Sequence, residues 1–214
     1  MAINLNSLLR KDTFTVLVNF RCRFKGMSSS LEVGIISSKK TTSMAFVDDY
    51  LKEETLEPLD TIKKILPLVR LNETILDKHL KYLTLLELKK VRLAKVLLLK
   101  SHLIICDHFF EGMIDAEKDY FRRLLRNLIY KQQKQVILME EDMNFVCETV
   151  KEFYLFTKNE KHKLIQDFYE DEIYNYVKMP YTVEVVKYLE DCGYEIDHEI
   201  TFNETLKAIY RGVA

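Results

Sequence analysis

Thr13–Phe24, TFTVLVNFRCRF, alternates apolar and polar residues and puts Phe14, Val16, Val18, Phe20, Cys22 and Phe24 on one face. That period of two predicts a strand. Gly26 begins a turn that Ser28–Ser30 continues, and Leu31–Ile36 reads as a second apolar strand. It leads into SSKKTTS, a polar loop. Met44–Val47 reads as a short strand before the acidic stretch DDYLKEETLE. Pro58 and Pro67 bracket a short helix and its break. Asn72 is placed to cap a helix through Lys81, and Thr84 to cap the next. Leu88–Leu99 carries a helical stripe of Val91, Leu93, Ala94, Val96, Leu97 and Leu98. Leu103–Cys106 is a continuous apolar run of the kind a buried parallel strand shows.

Residues 115–130 read as an amphipathic helix, Val136–Met139 as a second buried strand, Asp142–Val150 as helix and Phe153–Phe156 as strand. The tail reads as helix from Thr182, a short strand near Tyr194–Asp197, and the helix Thr201–Arg211. Alternating strands and helices predict an α/β domain with a mixed or parallel central sheet flanked by helices. Leu103–Cys106 and Val136–Met139 are expected to be adjacent in it, joined by a right-handed crossover. A single domain over 1–214 is expected, with N-terminal strands in 1–40, an insert in 41–82, a core in 83–157 and an extension in 158–214.

The 214 residues are 48% hydrophobic and 30% charged, with a net charge of −1. That balance is ordinary for a globular domain and leaves no footprint for nucleic acid. The basic stretch KDYFRRLLRN reads as one solvated helix face. No apolar segment reaches the roughly 18–20 residues that span a bilayer. No basic segment followed by an apolar one marks a signal peptide, so the cytoplasm is the expected location. Cys22, Cys106, Cys147 and Cys192 are widely spaced, which argues against a disulfide frame or a zinc site.

Glycine is scarce, at 5 residues. This matters because one stretch has the spacing of a phosphate-binding loop. Gly34–Thr41, GIISSKKT, matches GxxxxGK[ST] at Gly34, Lys40 and Thr41, with Lys39 where the second glycine belongs. A phosphate cradle needs that glycine so that backbone N–H groups can close on the anion.

Leu83–Asp115, LTLLELKKVRLAKVLLLKSHLIICDHFFEGMID, resembles the core of the ABC transporter ATPases, LSGG(E/Q)xxRVxLAxAL…hhhhDEPxxGLD. The apolar skeleton and spacing match, and the chemical letters differ. Thr84 and Glu87 keep the hydroxyl and acid of the signature, while its glycines become Leu85 and Leu86. Ile104–Asp107 resembles Walker B, with Asp107 in the Mg²⁺-holding place and His108 where an acid orients the attacking water. Glu111–Asp115 resembles the D-loop with one residue more. Ile137–Met143 resembles the switch strand, with Glu141 for its histidine. MAFVDDYLKEETLEPLDTI resembles the glutamine-loop stretch, with Asp49 near the glutamine. The family carries a longer insert than residues 42–83.

The resemblance implies a reduced P-loop domain whose Mg-ATP site is vestigial: Gly34, Lys40, Thr41, Thr84 and Glu87 for nucleotide, Asp107 for Mg²⁺. His108 and Glu141 stand at the degenerate catalytic positions. It implies a pseudoenzyme subunit at the inner face of the membrane, partnered by an ABC permease or an intact ATPase subunit, or a homodimer. A slow ATPase and a stand-alone interaction module are the alternatives.

Overall fold

A computed structural model of the chain describes residue 9 and residues 12–18, 33–157 and 160–213. Among the described residues six strands form one sheet in the order β2-β3-β4-β1-β5-β6. They are β1 Thr15–Val18, β2 Val33–Ile36, β3 Leu103–Asp107, β4 Gln135–Met139, β5 Glu152–Phe156 and β6 Glu160–Leu164. The helices are α1 Val47–Lys52, α2 Leu59–Ile65, α3 Leu85–Leu98, α4 Asp115–Gln132, α5 Met143–Thr149, α6 Tyr181–Asp191 and α7 Phe202–Val213. β2 pairs parallel with β3, β1 parallel with β5, and β6 closes its edge antiparallel to β5. The chain divides into two compact units, one built on residues 33–138 and the other on 14–18 and 139–213.

In the first unit β3 is buried from Leu103 through Cys106, and β4 beside it is buried from Val136 onward. The adjacency expected from the two apolar runs is therefore present. α4 covers its core with Phe121, Leu125, Leu128 and Ile129, a stripe spaced by four, three and one residues. Phe109 and Phe110 follow β3 and are fully buried; Phe109 meets Phe121 edge-on at 5.3 Å. Lys134 donates to the Ser101 carbonyl at 2.5 Å, tying the end of α4 to the start of β3.

α3 is buried almost all round. Nine of its side chains are buried, three of them lysines. Apolar burial drives such a helix inward, and each lysine then needs an oxygen partner. Lys90 has Glu117 of α4 at 2.7 Å. Lys95 has Glu54 at 3.5 Å and the Tyr50 ring at 4.1 Å.

In the second unit all of β1 is buried, as are Phe153 and Leu155 of β5. Phe153 stacks on Phe168 at 5.2 Å. α6 and α7 pack through Val186, Ile196 and Ala208, with Leu189 and Ile209 at the edge.

Three expected elements are corrected. Asn72 opens no helix through Lys81. Its side-chain oxygen accepts from the Thr74 hydroxyl, and only the short 3₁₀ turns Glu73–Ile75 and Leu80–Tyr82 form. The backbone between them is drawn into a strap: Val47 donates to Lys78, Leu80 to Ala45, and Lys81 to Ser43. That strap replaces the strand expected at Met44–Val47. Phe46 makes one bridge with His79, and α1 starts at Val47. Tyr194–Asp197 forms no strand. Gly193 turns the chain at φ +92°, Tyr194 donates back to Leu189, and Ile196 drops into the α6–α7 core. The outer ends of the first two expected strands, 19–24 and 31–32, lie outside the described residues.

Gly34 is a position where a side chain has no room. A β-carbon there would lie 2.5 Å from Val96 Cγ1 and 3.0 Å from Ser101 Oγ. Valine in a helix is stiff at χ1, so it yields little. Gly34→Ala is expected to lower stability by about 1–3 kcal/mol, read as a drop in denaturation midpoint, and Val96→Ala in the same chain should return part of it.

Candidate functional site

The residues with the signature spacing form the start of α3. Thr84 is its N-cap in a closed capping box. Glu87 N donates to Thr84 Oγ1 at 3.1 Å, and Thr84 N donates to Glu87 Oε2 at 2.8 Å. Lys78 adds an ion pair to Glu87 Oε1 at 3.0 Å. Burial pushes the Glu87 carboxyl upward, but the bonds from Thr84 and Lys78 outweigh it and hold it below the ordinary carboxylate range. A helix N-terminus attracts an anion through its free N–H groups. Here the chain's own carboxylate takes that place. Leu85 and Leu86 are half-buried in the first turn.

The loop after β3 is fixed from α3. Lys89 is fully buried, and its ammonium donates to the His108 carbonyl at 2.5 Å and the Glu111 carbonyl at 3.0 Å. His108 sits at φ +48°, a left-handed backbone that costs a non-glycine residue free energy. Its ring reaches Asp107 Oδ1 at 3.9 Å. Both side chains are partly exposed. Gly112 turns the loop at φ +80°, and Asp115 opens α4.

Gly34, Lys40 and Thr41 do not share one loop. Gly34 lies inside β2, an edge strand, packed on Val96 of α3. Lys39 and Lys40 are exposed beyond the strand. Three amides of this stretch go to its own hydroxyls: Lys39 N donates to Ser37 Oγ, Ser43 N to Thr41 Oγ1, and Ala45 N to Ser43 Oγ, each at 3.2 Å. Arg92 of α3 holds the carbonyls of Ser37 and Lys39, the latter at 2.7 Å. This is a ladder of Ser/Thr turns, and N–H groups spent on hydroxyls are not turned toward a phosphate. Of the expected Mg-ATP positions in this unit, Gly34 is enclosed in a strand, and Thr84 and Glu87 are bonded to each other. Among the described residues no cluster of carboxylates, histidines and cysteines has metal-site spacing.

Glu141 belongs to the second unit. It is exposed, while Asp142 caps α5 by accepting from Phe145 N at 3.3 Å. In open α/β sheets ligands bind beyond the carboxyl ends of the strands. β1 ends at Val18, and a cleft of about 760 Å³ lies there, lined among others by Val18, Glu141, Asn144, Tyr174, Lys178 and Tyr181. Asn144 Oδ1 accepts from Tyr181 N at 2.8 Å, fixing one wall. The Tyr174 hydroxyl is buried, and burial pushes its pKa up to about 12. This cleft has no sequence signal, because its walls come from β1 and from segments more than a hundred residues later. Burial also pushes the Cys147 thiol up to about 12, as suits a packed cysteine.

No protein-family model matches the chain, and no curated protein matches it. Solved structures do. CbiO1 from Clostridium perfringens, part of the ABC transporter complex cbiONQ, matches with TM-score 0.60 and 13% identity over 84% of this chain and 89% of that one. The ATP-binding cassette MJ0796, dimeric and bound to ADP and Pi, matches with TM-score 0.59 and 9% identity over 73% and 87%. An ABC transporter described as metal-chelate type, inward-facing, matches with TM-score 0.52 and 15% identity, and there the chain covers 59% of its length.

The capping box gives a pH test. Glu87 has a lowered folded-state pKa, so its contribution is complete above the unfolded value and is lost as pH falls through the folded one. Glu87→Gln is expected to cost about 1 kcal/mol at neutral pH, and wild type and variant should converge in acid denaturation below about pH 4. A gap that stays constant across that range contradicts the assignment.

The alternation of strand and helix, the paired apolar strands and these structural matches together give the chain the fold of the ABC transporter ATP-binding cassettes.

Proposed function

We propose that the chain is a non-hydrolysing, cassette-like subunit that works by docking to other proteins rather than by turning over ATP. One observation supports the reading: Thr84 and Glu87, at the signature positions, are bonded to each other rather than left open to an anion. The Glu87 carboxylate takes the N-terminus of α3. In the loop through Thr41, the Lys39 amide goes to the Ser37 hydroxyl, and the Ser37 and Lys39 carbonyls go to Arg92. Asp107 stands as a vestigial Mg²⁺ position, with His108 in place of the acid that would orient water. Glu141 puts an exposed carboxylate at the position of the family's switch histidine.

The similar structures are parts of transporter complexes or cassette dimers by their own descriptions. A permease or an intact ATPase subunit is the partner this reading implies, at the inner face of the membrane. No helix among the described residues is long and apolar enough to cross a membrane itself.

The purified chain is expected to show no Mg-ATP turnover above background. Loss of one transition-state contact costs roughly 10²–10³ in rate, and several are missing here. Steady-state phosphate release checks this. Turnover that Asp107→Asn abolishes would overturn the proposal.

A further inference from the structure

A second cleft, of about 410 Å³, lies within the first unit. Edge strand β2, the end of α1 and one face of α3 line it. Its walls are of two kinds. Val33, Ile35, Val96 and Leu99 are apolar, and Arg92 and Lys95 bring two cations. Glu53 and Glu54 complete the charged side. The volume lies in the range of small-molecule sites, and an apolar wall with a few convergent polar groups is their usual composition.

Lys95 is the least well supplied of the buried lysines on α3. Its side chain is only 9% exposed. A buried ammonium costs free energy unless oxygens replace its water. Lys89 meets carbonyls at 2.5 Å and 3.0 Å, and Lys90 meets a carboxylate at 2.7 Å. The oxygens paired with Lys95 stand farther off, Glu54 Oε2 at 3.5 Å and Glu53 Oε2 at 4.0 Å. Those carboxylates are 64% and 70% exposed. Ion pairs to such solvated groups are worth little. The Tyr50 ring lies 4.1 Å from the ammonium. Arg92 stands one turn earlier on the same face of α3. It donates to the Ser37 and Lys39 carbonyls and to the Tyr50 hydroxyl, and its guanidinium fork has N–H groups beyond these.

We propose that this cleft binds a small aliphatic carboxylate. Its head lies between Arg92 and Lys95, and its body lies on Val33, Ile35, Val96 and Leu99. A carboxylate oxygen brought to hydrogen-bond distance gives Lys95 the close, charge-assisted bond that Glu54 does not reach. Glu53 and Glu54 set negative charge beside the two cations, which disfavours a dianion such as phosphate more than a monoanion. The site lies apart from the capped start of α3 and stands whether or not the chain turns over ATP.

Calorimetric titration of the full chain with sodium hexanoate tests it. Wild type should bind with a Kd of about 1 mM, as suits a ligand of that size. Hexanol, which has the body without the charge, should bind at least about tenfold more weakly. Inorganic phosphate, which has charge without the body, should also bind at least about tenfold more weakly. Lys95→Met should weaken hexanoate by at least about tenfold. Glu54→Gln alters an exposed side chain and serves if the first variant melts early. It should tighten hexanoate by about threefold, because a competing carboxylate is gone. No binding up to about ten times the expected Kd overturns the proposal. So does hexanoate binding that both variants leave unchanged. Hexanol or phosphate binding as tightly as hexanoate overturns it too, the first by showing an apolar groove alone and the second a general anion site.

Discussion

The buried ammonium of Lys89 holds the centre of the first unit. Its side chain is fully inaccessible, and its charge is met by two carbonyls of the loop that follows β3 and by the Glu111 carboxylate at 3.8 Å. A buried cation without partners costs several kcal/mol, so the helix and the loop must form together. The rest of α3 repeats the device. Lys90 reaches α4, Arg92 reaches the loop after β2, and Lys95 reaches the segment after α1. One helix with apolar packing all round and four cations becomes the hub to which separate segments are tied. Its N-terminus, where an anion would otherwise gather, is closed by Glu87.

That arrangement ties a helix of this fold to its neighbouring segments through side chains of the same chain. In a phosphate-binding protein, backbone N–H groups at helix starts and loop turns are left open for the ligand. Here side chains take some of those places. Thr84 and Glu87 cap the helix, the hydroxyls of Ser37, Thr41 and Ser43 accept from three loop amides, and Arg92 and Lys89 each bind two loop carbonyls. Such bonds hold the chain together in the absence of a ligand.

The long apolar-periodic segments were legible from the residues alone. Leu103–Cys106, Val136–Met139 and the stripes of α3 and α4 stand where their periods predict. Thr84 caps its helix because the acid three residues on closes the box. The failures have local causes. β6, EKHKL, has no apolar period, since it is an edge strand paired on one side with β5. Asn72 carries the right side chain for a cap, but Thr74 takes its oxygen and a strap pulls the backbone away. Gly34 fits a loop motif by spacing, yet Val96 and Ser101 press on it inside a strand. The cleft beyond Val18 left no mark in the sequence, because spacing along a chain says nothing of walls that meet only on folding.

The central proposal is that the signature position and the Gly34–Thr41 stretch serve contacts within the chain and do not hold Mg-ATP. Calorimetric titration of the purified protein with Mg-ATP tests it most directly. The account predicts no site tighter than about millimolar. A micromolar site that Lys40→Ala removes would show that the loop still opens for phosphate, and would contradict it.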